Sequence, residues 1–299
     1  MLTNPKTRSF LTRTATASVL ISAFTLLISS GQTYTAAAVF CIEAIVFHEL
    51  LNVHRDVHVE PTLNLTHKIL PSLIFAATSY FRYHTLIPQL FYSEYVFVAI
   101  IFAILILFVL SLREPHYAYQ YGQFGWAIAC AMGTVFAGSG FLFTLLQETD
   151  GMFLFLLSTG LVIINDTLAY LFGICLGKHP LIKISPKKTW EGFIGALFGT
   201  IAVAPVYAFF LSKSFVSNYQ LTDIVTAYQN QDFVLFAALF AFVASTVTPF
   251  GGFLASGVKR AYSIKDFANT LPGHGGFADR CDCQFVFSIF LGAYCATRK

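Results

Sequence analysis

Nine long apolar runs, separated by short polar stretches, leave this chain few ways to fold. They cover 16–32, 34–51, 69–86, 94–112, 124–146, 152–175, 192–211, 233–255 and 284–297. A helix needs about 20 apolar residues to cross roughly 30 Å of hydrocarbon, and most of the runs approach that length. The first two are separated only by Gly31–Thr33, and the last is short. Composition agrees: 56% of the residues are hydrophobic and 11% charged, where soluble domains carry about 25% charged residues. A soluble globule of this length could not hide so much apolar surface, so the bilayer is the expected solvent. The fold class expected is an all-α polytopic membrane protein with about nine transmembrane helices. The first run lacks a small-residue cleavage site and is followed by further spans, so it reads as a span rather than a signal peptide.

Orientation follows from the basic residues. On this topology fourteen of the eighteen Lys and Arg fall on one face: Lys6, Arg8, Arg13, Arg55, Lys68, Arg113, Lys178, Lys183, Lys187, Lys188, Lys259, Arg260, Lys265 and Arg280. Arg82, Lys213, Arg298 and Lys299 fall on the other. The basic face is expected to be cytoplasmic. The cysteines are expected to be reduced thiols, and Cys281-Asp282-Cys283 lacks the second pair that a structural zinc site wants.

No soluble domain, low-complexity tract or internal repeat interrupts the pattern. The chain reads as N-terminal transmembrane helices with a cytoplasmic loop over 1–120, and a region carrying the chemistry over 121–299. Three stretches on the basic face are longer than the rest: 52–68, 176–191 and 256–283. The first, with His54, Arg55, Asp56, His58 and His67, reads as an ordinary solvated loop. His48-Glu49 is not a zinc-protease motif, because Asn52 stands where the second histidine would be. The other two concentrate charge, glycine, proline and histidine in a chain otherwise short of them.

In 176–192, Ser185-Pro186 has the form of an N-cap and first helical residue, which predicts that the seventh helix starts there. Helix-terminal N–H groups beside Lys187 and Lys188 would make a phosphate site; a positive-inside anchor with no ligand is the alternative. In 256–283, Lys259, Arg260, Lys265 and Arg280 supply cations, and Asp266, Asp279 and Asp282 supply carboxylates. Asp279 and Asp282 are three apart and share a helix face. Two carboxylates beside basic residues suit Mg²⁺, which substrate phosphates also hold; a salt-bridged, solvated loop is the other reading. The run Pro272-Gly273-His274-Gly275-Gly276 would let backbone approach a ligand closely. Asn165 and Asp166 lie inside the sixth run, where a charge costs at least a few kcal/mol without a partner or a wet cavity. Asp166 is read as facing the bundle interior near the two basic loops, against a purely structural hydrogen bond. Together these elements suggest phosphate chemistry at the membrane surface without naming a reaction.

The same residues carry a resemblance. Ser256 through Lys259-Arg260, Lys265-Asp266, Pro272-Gly273-His274-Gly275-Gly276 and Asp279-Arg280-x-Asp282 resembles the long signature of the phosphatidate cytidylyltransferases, or CDP-diacylglycerol synthases. Asn165-Asp166-x-x-Ala169-Tyr170 and Ser185-Pro186-Lys187-Lys188-Thr189-Trp190-Glu191-Gly192 resemble two further blocks of that family. Looser likeness covers most of the chain, including Phe47-His48-Glu49 and Tyr121-Gly122-Gln123-Phe124. The wording Ile264-Lys265-Asp266-Phe267-Ala268-Asn269-Thr270 is similar to the eukaryotic branch, which implies the endoplasmic reticulum membrane. Two positions depart from the pattern. Cys281 replaces a larger apolar residue or threonine, and Gly252 stands where bacterial members carry an acid.

The resemblance implies transfer of the cytidylyl group of CTP to phosphatidic acid, giving CDP-diacylglycerol and pyrophosphate for phosphatidylinositol, phosphatidylglycerol and cardiolipin synthesis. It implies a site at the cytoplasmic ends of the C-terminal helices, with CTP arriving from the cytosol and the lipid from the bilayer. Mg²⁺, or another divalent ion with or without a monovalent cation, would sit on Asp279, Asp282 and Asp266, with Asp166 compensating for Gly252. Catalysis would rest on those aspartates with Lys259 and Arg260. Ser185, Lys187, Lys188, Lys259, Arg260, Lys265 and Arg280 would hold phosphates of CTP and lipid, with His274 and Asn165 as further substrate contacts. A homodimer in the bilayer is implied, with no nucleic-acid partner. The rivals are a CTP-dependent lipid kinase, which would release CDP, and a transporter using Asp166.

Overall fold

Ten helices form where the apolar runs lie in the computed structural model, which describes residues 5–84, 86, 94–147, 150–216 and 231–297. They are α1 (Pro5–Ser29), α2 (Gln32–Val53), α3 (Leu65–Tyr83), α4 (Glu94–Ser111) and α5 (Tyr117–Gln147). After these come α6 (Gly151–Leu176), α7 (Trp190–Val216), α8 (Gln231–Thr246), α9 (Pro249–Ala261) and α10 (Ala278–Thr297). Residue 85 of the third expected span, and Arg298 and Lys299, lie outside the described residues. Among the described residues seven segments are long and apolar enough to cross a membrane: Leu11–Ser29, Gln32–Val53, Glu94–Ser111, Tyr117–Leu146, Gly151–Leu176, Trp190–Lys213 and Phe233–Ala261. The expected spans 69–86 and 284–297 fall on α3 and α10. Both are helical, but charged residues such as Lys68 and Arg82 in α3, and Asp279, Arg280 and Asp282 in α10, lower their hydropathy. The chain is a polytopic all-α membrane protein.

The run 233–255, read as one span, is two helices. Pro249 has no N–H to continue the ladder of α8, so the chain breaks at Val247–Thr248 and restarts with proline in the first turn of α9. The Thr248 hydroxyl donates back to the Val243 carbonyl at 3.1 Å, satisfying one acceptor at the break.

Two compact units emerge. The first comprises 1–23, 37–139 and 266–278. Its core joins α2, α3, α4 and α5 through Phe47, Leu70, Ile74, Phe108 and Ala131, with Phe108 stacked on Phe124 at 4.1 Å. Buried polar groups need partners, and two sets of side chains pair here. Tyr83 OH donates to Glu43 Oε2 at 2.8 Å, and Gly138 makes room for that carboxyl: a Cβ there would lie 2.1 Å from Glu43 Oε1. His67 is buried and its Nε2 sits 3.1 Å from Gln123 Oε1. The Gln123 amide donates to Glu60 at 2.7 Å, and Tyr119 OH also donates to Glu60 at 3.1 Å. The stretch 52–68 is mostly exposed or half-buried, as expected of a solvated loop, but Glu60 and His67 tie it to α5.

The second unit comprises 24–36, 140–265 and 279–299. Here α6 packs on α7 and α8, and α7 on α8. Phe240, Phe287, Phe290 and Tyr294 form an aromatic cluster between α8 and α10. Without a hydrophobic drive between helices in lipid, small residues let backbones approach and gain packing. A Cβ on Gly140 would lie 1.7 Å from the Ser288 carbonyl oxygen, and one on Gly292 would lie 2.9 Å from Gly140 Cα. The Phe141 N–H donates to Ser288 Oγ at 2.8 Å in the same crossing. Nearer the start of α10, a Cβ on Gly251 would lie 2.3 Å from the Asp282 carbonyl oxygen.

Between α6 and α7 the chain forms an antiparallel hairpin, β1 (Pro180–Ile182) with β2 (Ser185–Thr189). Ser185-Pro186 therefore begins a strand, not the helix its local sequence predicted. The helix begins at Trp190, capped by Thr189, whose hydroxyl accepts the Gly192 N–H at 3.2 Å. Glu191 closes the hairpin base, accepting from the N–H groups of Lys178 at 3.0 Å and His179 at 3.2 Å.

Candidate active site

Five parts of the second unit converge on one cavity of about 390 Å³, with α7 contributing Gly192, Phe193 and Ala196. From α6 come Asn165, Asp166, Ala169 and Tyr170; from the hairpin, Ser185, Lys187 and Lys188. α9 contributes Gly252, Phe253 and Ser256, and α10 contributes Asp279, Asp282 and Cys283. The break at Pro249 frees α9 to run separately from α8, and the hairpin carries its lysines to the same place.

Lys188 brings a cation to this cavity. Its Nζ sits 4.8 Å above the Phe253 ring, a cation–π contact that holds the side chain inward. The ammonium lines the same cavity as the Asp166 and Asp282 carboxyls, one cation beside two acids. Such an arrangement holds together when a cation or a cationic ligand set screens the acids. Gly252 is the gap among these groups. A Cβ there would lie 3.3 Å from Lys188 Nζ, 3.3 Å from Cys283 Sγ and 3.5 Å from Asp282 Oδ2. The Asp282 Oδ1 accepts the Cys283 N–H at 2.7 Å, which fixes the carboxylate plane.

Asp279 is held differently. Lys259 Nζ donates to its Oδ1 at 2.7 Å, and the two side chains are only 16% and 6% exposed. Asn165 is buried, with its Oδ1 accepting from the Thr200 hydroxyl at 3.4 Å. The Ser256 hydroxyl donates to the Gly252 carbonyl at 2.7 Å within α9.

The cavity thus gathers Asn165, Asp166, Ser185, Lys187, Lys188, Asp279 and Asp282 from the sequence-derived candidates, with Lys259 attached through Asp279. Arg260, Lys265 and Arg280 are exposed and do not border it. Asp266 is exposed, and it and His274 belong to the first unit. There the segment around His274 is a tight turn, with the Leu271 N–H donating to the Gly275 carbonyl at 2.8 Å and positive φ at Gly273 and Gly275. Sequence reasoning did not single out Thr189, Phe253 or Cys283, all of which line the cavity. Thr189 was findable as a threonine just before an apolar run, placed to accept the N–H three residues on. Phe253 and Cys283 gave no signal of their own.

Among the described residues no three His, Cys, Asp or Glu side chains close into a ready-made cage for a metal. What the cavity offers is carboxylates from α6 and α10 with Gly252, which brings no side chain, packed beside them. That donor set fits a hard divalent ion whose remaining positions are filled by phosphate oxygens and water, as Mg²⁺ prefers. It fits a caged, all-protein site poorly.

Comparison with known proteins bears directly on this cavity. Residues 11–297 match the profile of the Cytidylyltransferase family. Phosphatidate cytidylyltransferase 1 of Arabidopsis thaliana is 33% identical over 336 residues, covering 97% of this chain and 79% of the plant protein. Phosphatidate cytidylyltransferase 1 of Homo sapiens is 34% identical over 322 residues, covering 92% of this chain and 69% of the human protein. Phosphatidate cytidylyltransferase 2 of Rattus norvegicus is 31% identical over 325 residues, covering 93% and 72%.

Proposed function

This chain belongs to the cytidylyltransferase family, and from that premise we propose that it is a membrane phosphatidate cytidylyltransferase. It joins CTP to phosphatidic acid and releases pyrophosphate. The observation that carries the reading is one cavity lined together by Lys188, Asp166 and Asp282, walled by Phe193, Phe253 and Tyr170 and formed by helices long enough to span a bilayer. A nucleotide and a lipid phosphate both find charge there, and the lipid finds an apolar wall.

The chemistry needs little beyond position and charge. A phosphatidate oxygen attacks the α-phosphorus of CTP, a P–O bond forms, and the bond to the β-phosphate oxygen breaks, so pyrophosphate leaves with the electron pair. The attacking phosphate is already ionised at neutral pH, so no residue need take a proton. Lys187 and Lys188 draw the phosphates in, and Ser185 on the same strand offers a hydroxyl. Lys259 holds the Asp279 carboxylate in one orientation. Asp166, Asp279 and Asp282 would hold Mg²⁺, which when bound offsets charge on the phosphoryl oxygens.

The likeness to the eukaryotic branch supports placement in the endoplasmic reticulum membrane, and the basic-residue asymmetry supports a cytosolic site. The homodimer and the assignment of catalysis to 121–299 belong to the same reading. Phosphatidylinositol, phosphatidylglycerol and cardiolipin synthesis would consume the product.

The test is transfer of label from CTP carrying it in the α-phosphate, using purified protein in mixed micelles with phosphatidic acid and Mg²⁺. Label in the lipid phase with equal pyrophosphate is the expected result. CDP release would mean γ-phosphoryl transfer, and no turnover with ion flux in proteoliposomes would mean a transporter.

A further inference from the structure

Glu49, on the last turns of α2, is 2% exposed and has no part in the cavity described above. Three hydrogen bonds reach it from one short segment far along the chain. The Thr270 hydroxyl donates to Oε1, the Phe277 N–H donates to Oε1 at 3.1 Å, and the Ala278 N–H donates to Oε2 at 2.8 Å. Gly276, buried in the same segment, passes so close that a Cβ would lie 2.5 Å from Glu49 Oε2. A second tie comes from α1, where the Thr16 hydroxyl donates to the Pro272 carbonyl at 3.0 Å.

Ala278 is the first residue of α10, and its chain neighbour is Asp279. The first N–H groups of a helix lack intrahelical partners, and an acidic group is most favourable at that end. Glu49 supplies both needs from another helix, where the local sequence offers Phe277 and no capping side chain. Hydrogen bonds to a charged acceptor are roughly twice as strong as neutral ones, and three converge here.

We propose that Glu49 is a positioning residue for cytidylyl transfer. Its carboxylate fixes the 270–278 segment, and through Ala278 the start of the helix that presents Asp279 and Asp282. The inference rests on the cytidylyltransferase reading of the cavity, and its own test separates the two.

The full chain in detergent micelles is compared with Glu49→Gln, Glu49→Asp and Thr270→Val. Three measurements are taken: turnover of α-labelled CTP, amide hydrogen exchange by mass spectrometry, and thermal unfolding. Glu49→Gln is expected to speed exchange about tenfold or more at Phe277 and Ala278 and to lower kcat by about ten- to a hundredfold. Exchange in α6 and α7 stays unchanged, and KM for CTP moves less than kcat. Glu49→Asp, too short to reach all three donors, behaves as Gln does. Thr270→Val has a smaller effect, and adding it to Glu49→Gln brings no further loss, because the two share one interaction. Unchanged kcat and unchanged exchange in Glu49→Gln would overturn the proposal, as would a rise in exchange spread evenly over the whole protein. If Glu49→Gln does not fold, Thr270→Val decides by the same two readouts. A wild-type protein without turnover would defeat the reaction reading, while the exchange comparison would still report whether Glu49 orders the segment.

Discussion

Lys259 and Asp279 meet at 2.7 Å, joining the last turn of α9 to the first turn of α10. Both side chains are nearly buried, so removing either partner takes a short ion pair from a charge that water reaches poorly. Removing one member of such a pair costs about 3–5 kcal/mol, while removing both is far milder. Lys259→Met and Asp279→Asn are each expected to lower turnover by about 10²-fold or more, the scale of losing a principal electrostatic group. In stability the double variant should recover much of what either single variant loses, and a double-mutant cycle on thermal unfolding reads that coupling. Additive losses would show that the pair does not act as a unit.

Asp282 differs from Asp279 in facing Lys188 and the gap at Gly252. If it holds a divalent ion, Asp282→Asn raises the Mg²⁺ concentration for half-maximal turnover by about tenfold or more, since a hard cation prefers a charged oxygen donor. Chelating the metal from the wild-type protein should stop label transfer, and restored Mg²⁺ should return it. An unshifted Mg²⁺ titration in Asp282→Asn would remove this carboxylate from the metal site.

Gly252 gives a sharper probe of the same place. The Cβ of Gly252→Ala would crowd Lys188 Nζ and Cys283 Sγ at 3.3 Å each. Lys188 is flexible and can give way, so the fold should survive while turnover falls about tenfold, short of the 10² that an ångström of misplacement can bring. Gly252→Asp would set a third carboxylate beside Asp282 and is expected to change the metal requirement. Full activity of Gly252→Ala with unaltered kinetics would mean that the gap is unused.

In the first unit, Gly138 and Glu43 test packing rather than chemistry. Gly138→Ala would drive a methyl group into the Glu43 carboxyl and displace it from Tyr83. A loss of about 1–3 kcal/mol is expected, the range for overpacking a tight core. Adding Glu43→Ala removes the obstacle, so the pair should lose less than the sum of its parts in a thermal unfolding series.

The sequence exposed those features whose signal is local. Apolar runs of spanning length became helices, and Asp166 stood out because a carboxylate within an apolar run needs a reason. Ser185-Pro186 misled because its capping chemistry is locally sound; pairing of β2 with Pro180–Ile182 overrides it, and Thr189 takes the cap. The break at Pro249 was written in the chain but submerged in the hydropathy of its neighbours. Glu49 was given no role, because its partners lie more than two hundred residues downstream. His67 passed for a loop residue for the same reason, since Gln123 is on another helix.

The glycines along α10 have a mechanical consequence. The helix is gripped at two stations, by Gly251 at Asp282 and by Gly140 at Gly292. At 1.5 Å per residue these stations are about 15 Å apart. A beam mounted at two points that far apart tilts by roughly 4° when one mount shifts by about 1 Å, and an ångström is the scale at which reacting groups lose alignment. A methyl group added at Gly140, deep among apolar residues, therefore reaches the chemistry as a change in aim. Damage of that kind would look like a catalytic defect while every charged residue remained in place.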